Sequence, residues 1–75
     1  MKPVEFPEQN VIFAKDQPGY EPLPAMRNPE GDVVCCIELT DEEIETMKKN
    51  KCFWLGLKTF NRPLQPIMLS VNKSD

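Results

Sequence analysis

Apolar residues come in short runs along this chain, and prolines, glycines and charged clusters separate them. Val11-Ile12-Phe13-Ala14 is the first run, and its length suits a buried strand, although so short a run carries no period of its own. Residues 33–39 alternate: Val33, Cys35, Ile37 and Leu39 share one face, and Val34, Cys36 and Glu38 share the other. The first face is wholly apolar and the second largely so, which predicts a central strand or one covered on both sides. Residues 52–60 form the longest strand candidate, with Phe53, Leu55, Leu57 and Thr59 on one side and Cys52, Trp54, Gly56, Lys58 and Phe60 on the other. Ile67, Leu69 and Val71 line one side of a last strand over residues 67–71.

Between the second and third of these segments the pattern turns helical. Thr40-Asp41-Glu42-Glu43 has the form of a capping box, in which the threonine hydroxyl and the glutamate carboxylate each accept from the other's backbone amide. Leu39 and Ile44 are spaced for the accompanying hydrophobic staple. Acids at positions 41–43 and Lys48 and Lys49 complement the helix dipole, and Asn50 suits the left-handed residue that ends the helix. Only Ile44 and Met47 offer an apolar stripe, so the helix is expected to dock on the sheet through them.

Proline supplies the remaining punctuation. In Gln17-Pro18-Gly19 the proline presets the second position of a type II turn and the glycine supplies positive φ at the third. Tyr20-Glu21-Pro22-Leu23-Pro24 is then extended, because a residue before proline is driven out of the helical region. Asn28-Pro29-Glu30-Gly31-Asp32 forms a second turn, and Asn61-Arg62-Pro63 a third. The fold class that results is α+β: a small antiparallel sheet with one short helix packed on it, in the order β-β-α-β-β. Residues 1–75 make a single domain, with 1–10 and 72–75 extended or frayed.

Size limits what holds such a fold together. A 75-residue chain buries only about 60% of the surface its unfolded form exposes, so a staple, a metal or a partner subunit is expected. Three cysteines, two of them adjacent, make a poor disulfide framework. The chain has no histidine and no Cys-x-x-Cys, so neither a metal nor another cofactor is expected. A homo-oligomer is the remaining aid to stability. No apolar run approaches the length of a membrane helix, the first residues do not read as a secretory signal, and the unpaired cysteines suit a reducing compartment. The expectation is a cytoplasmic protein with no membrane association.

The net charge of −3 argues against general coating of nucleic acid. Charge is uneven, however: Lys48, Lys49, Lys51, Lys58 and Arg62 fall in one stretch without an acid. Trp54, Lys58 and Phe60 share a predicted strand face with Gly56, and Arg62 lies just beyond it. Flat aromatics beside cations can receive a base and its phosphate; the same aromatics on a strand also serve ordinary packing. Tyr20, held between prolines, is a further candidate anchor, or a pin that fastens the loop to the sheet. Asp41-Glu42-Glu43 is explained by its capping role, and no base stands near Cys35 or Cys36, so no catalytic set is expected and the protein reads as a non-enzyme.

The ordered set Gln17-Pro18-x-Tyr20-x-Pro22-Leu23-Pro24, Gly31, Leu39-Thr40-x-x-Glu43, Trp54-Leu55 and Thr59-Phe60-x-x-Pro63-Leu64-Gln65-Pro66 resembles a group of very short bacteriophage and prophage proteins. The likeness covers roughly residues 11–71. It departs from the group's pattern at Cys36, where the group has an aromatic residue, and at Asn50-Lys51, where it has Gly-Lys. The resemblance implies a setting and no established activity. The expected function is that of a phage-type accessory protein acting by stoichiometric binding. It would sequester a nucleotide-like signal or a host protein, in a counter-defence role within a bacterial cytoplasm. The alternatives are a single-stranded nucleic-acid-binding module, or a purely structural homo-oligomer. Trp54, Lys58, Phe60, Arg62 and Tyr20 are the candidate ligand-binding residues.

Overall fold

A computed structural model describes residues 1–73 of the chain. Its elements run β1 (Lys2–Val4), β2 (Val11–Phe13), β3 (Leu23–Arg27), β4 (Val33–Val34), β5 (Cys36–Glu38) and α1 (Asp41–Asn50). This is a small α+β fold with antiparallel sheets and one short helix, as the sequence predicts. The order differs: every strand among the described residues precedes the helix.

β2, β3 and β4 form one antiparallel sheet in that order. Val11 lies opposite Ala25 and Ile12 opposite Pro24, while Met26 and Arg27 face Val34 and Val33. Pro24 is tolerated inside β3 because β4 reaches only Met26 and Arg27. At Pro24 the strand has a partner on one side only, where a missing donor does least harm. Asn10 extends the β2–β3 ladder. Its backbone amide donates to the Ala25 carbonyl at 2.9 Å, and its side chain both accepts from the Arg27 amide and donates to the Arg27 carbonyl at 2.9 Å.

The turn expected at residues 28–32 joins β3 to β4. The Asn28 Oδ1 accepts from the Asp32 amide at 2.8 Å, and Gly31 takes φ 91°, which only glycine enters without strain. The turn after Gln17 also forms, with the Tyr20 amide donating to the Gln17 carbonyl and Gly19 at φ 83°. The predicted strand over 33–39 is interrupted at Cys35. Its first part pairs with β3, and its second pairs with β1 in a separate two-stranded sheet. Residues 2–4, expected to be extended or frayed, are extended and paired: Lys2 lies opposite Glu38, Pro3 opposite Ile37 and Val4 opposite Cys36.

The helix follows its capping chemistry. Thr40 Oγ1 accepts from the Glu43 amide at 3.1 Å, and Glu43 Oε1 accepts from the Thr40 amide at 2.9 Å. The left-handed terminator is Lys51 rather than Asn50; it has φ 59° and its amide donates to the Met47 carbonyl at 2.7 Å. Asn50 stays within the last turn. Met47 is half-buried against an open cavity and Ile44 is 46% exposed, so the expected docking of the helix on the sheet through both residues does not form.

The strands expected over 52–60 and 67–71 do not form. Alternating side chains define two faces, but a strand persists only where a neighbour completes its ladder, and no strand pairs with either segment. Residues 51–73 run as an irregular arm interrupted by a turn, in which the Arg62 amide donates to the Thr59 carbonyl at 3.0 Å with Phe60 and Asn61 at positive φ. The open form shows in the dimensions. The Cα radius of gyration is 14.0 Å, against about 11 Å for a compact domain of this length. Pro24 and Ala25, side by side in β3, are the buried residues among those described. The expectation for residues 74 and 75 falls outside the described residues.

Candidate binding surface

The arm and the strands enclose two open cavities. The larger, about 1290 Å³, lies between residues 33–37 and the arm, and Lys58 and Arg62 line it. The smaller, about 510 Å³, is walled by Ile37, Leu39, Met47, Phe53 and Trp54. The structure therefore separates residues that the sequence puts on one face. Trp54 borders one cavity, and Lys58 and Arg62 border the other. Phe60 borders neither; its ring centroid lies 5.8 Å from Lys58 Nζ, a cation–π distance. Tyr20 is exposed at the Gln17 turn and lines neither cavity. The shared face is corrected for the same reason as the strand: period-two alternation fails where the backbone turns irregularly.

Exposure is the stronger feature. Trp54 is 94% exposed, Met68 71% and Val71 102%, and Phe53, Leu55, Leu57, Phe60, Leu64, Ile67 and Leu69 are also exposed. Scattered surface apolar residues need no explanation, but ten of them within residues 53–71 are more than scatter and point to a segment that meets something. Charge adds a signal that a count over 48–62 captures only in part. Residues 1–50 hold eleven acidic and five basic side chains, a formal −6, whereas residues 51–73 hold four basic and no acidic ones, a formal +4. The arm is thus cationic and apolar, and the body is acidic.

Three further groups complete the electrostatics. Lys73 Nζ donates to the Glu8 carboxylate and holds its pKa below the ordinary range, tying the end of the arm to the body. The Met1 ammonium and the Thr40 amide do the same to the Glu43 carboxyl. Loss of hydration pushes the Cys35 thiol up, which disfavours its nucleophilic thiolate. Among the described residues, no group of three His, Cys, Asp or Glu side chains is placed to hold a metal ion, and no helix is long and apolar enough to cross a membrane.

No family model, no curated protein and no solved structure matches this chain. The expected labels of phage protein, anti-defence factor and homo-oligomer are withdrawn on that finding, since no match supports any of them.

Proposed function

We propose that this chain is a non-enzymatic binding protein that captures a partner protein stoichiometrically through residues 51–73, and that the partner offers an apolar groove rimmed by acidic side chains. The exposed apolar arm carries the reading. Each leucine-sized side chain moved from water into a groove contributes about 1.5–3 kcal/mol, and the formal +4 of the arm steers it toward acidic surfaces. Capture of a nucleotide-like signal is less well supported, because Trp54 and the Lys58/Arg62 pair border different cavities. The free thiols of Cys35, Cys36 and Cys52 suit a reducing setting, and the reading extends to a cytoplasmic protein.

A single-stranded nucleic-acid binder is the second reading, favoured by the nearly full exposure of Trp54. Bases stack on aromatic faces, whereas most exposed apolar residues of the arm are aliphatic, and these favour a protein groove. Titration with an alternating Glu-Leu peptide and with single-stranded oligo(dT), followed by Trp54 fluorescence, separates the two. The protein-groove reading expects a blue shift with the peptide that Leu69→Ala and Met68→Ala weaken. Quenching by oligo(dT) alone, with steep salt dependence, transfers the assignment to nucleic acid. No response to either at micromolar concentration rejects both.

A further inference from the structure

We infer that Arg62-Pro63-Leu64-Gln65-Pro66 is the recognition element of the arm, and that the partner's groove is lined by aromatic side chains and shaped for a polyproline II helix. The inference rests on capture of a protein partner by the arm and names the kind of groove. A proline fixes its own φ and drives the residue before it out of the helical region. Arg62, Pro63, Gln65 and Pro66 are all constrained in this way, so the segment is held extended before any partner arrives. Polyproline II repeats every three residues, which puts Pro63 and Pro66 on the same edge, one turn apart. A segment so preset loses little entropy on docking, and aromatic-lined grooves exploit that.

The structure chooses between the chain's two proline-rich stretches. In residues 17–24, Leu23 and Pro24 belong to β3 and lie opposite Phe13 and Ile12, and Pro24 is buried, so that stretch is absorbed into the sheet. In residues 62–66 every residue is exposed, Leu64 by 61%, and residues 63–70 belong to neither helix nor strand. The strands that Pro63 and Pro66 would have joined do not form, so these prolines make no corner of the fold. Charge selects the same stretch. Lys58 and Arg62 stand at its entrance, and neither is in an ion pair among the described residues, so acidic side chains beside the groove find cations to meet. Residues 17–24 carry Glu21 and no cation.

The test is titration of the full chain into an isotopically labelled SH3 domain that carries acidic residues beside its aromatic groove, followed by the domain's amide chemical shifts. The shifts are expected at the groove, and a proline-rich peptide that occupies the groove is expected to reverse them. Pro63→Ala with Pro66→Ala is expected to weaken binding at least about tenfold, because the bound shape is no longer preset. Arg62→Glu is expected to weaken it as well, whereas Pro22→Ala leaves it unchanged. None of these residues belongs to a ladder, so the helical circular dichroism of each variant should match that of the unaltered chain. Absence of groove shifts at up to about 1 mM chain overturns the inference, and so does equal weakening by Pro22→Ala. If the Glu-Leu peptide still shifts Trp54 emission in that case, the protein-groove reading stands and the aromatic groove alone is lost.

Discussion

Thr40 and Glu43 show how much a few local bonds settle. Their reciprocal hydrogen bonds satisfy two amides at the helix start, and a threonine cap contributes about 1 kcal/mol. Glu43 also meets the Met1 ammonium, so the chain's first residue helps hold a helix about forty positions away. The carboxyl is held below its ordinary value of about 4.5 in the folded state. Its stabilising effect is therefore fully present above that pH and is lost as pH falls through the lower folded value. Glu43→Gln can keep the box while removing the charge. The helical circular dichroism of the unaltered chain should fall more between pH 5 and pH 3 than that of Glu43→Gln; identical profiles would discount the ion pair.

At the scale of elements, turns are set by single residues and strands are not. Gly31 at φ 91° has nothing within 4 Å of where a Cβ would stand, so Gly31→Ala carries a purely conformational cost of about 1 kcal/mol. Gly56 meets equally open space without a positive φ, and alanine there should be neutral or slightly stabilising. Urea melts of the two variants check the contrast, and equal midpoints would count against the assigned turn. The capping box and the turns at residues 17–20 and 28–32 were legible because each is complete within four or five residues. The C-terminal strands were misread because alternation over 52–60 describes side chains, while their hydrogen-bonding partner had to come from elsewhere. Trp54, Lys58 and Arg62 were legible as a candidate aromatic-basic group, but the exposure of Trp54 and the division of the group between two cavities depend on the course of the arm.

Considered whole, the molecule is an acidic body with a cationic, apolar arm laid beside it. Its single tryptophan is on the arm and 94% exposed, so it reports the arm alone. Acrylamide should quench Trp54 almost as well as free tryptophan; a strongly protected, blue-shifted emission would show that residues near 54 are covered. Attraction between arm and body also depends on ionic strength. The Debye length falls from about 30 Å at 0.01 M salt to about 8 Å at 0.15 M. The radius of gyration in small-angle scattering should therefore rise with salt from a more compact value toward 14.0 Å.

The sequence by itself determined the helix and its start, the proline and glycine turns, the α+β class and the stretch of positive charge. These depend on dihedral preferences and bonds between near neighbours, which travel with the residues themselves. Only the tertiary structure decided that residues 33–39 split between two sheets, that Lys2–Val4 pairs with Cys36–Glu38, and that residues 51–73 stay unpaired. A ladder needs two distant segments to meet, and which ones meet follows from the balance of burial and chain entropy over the whole molecule.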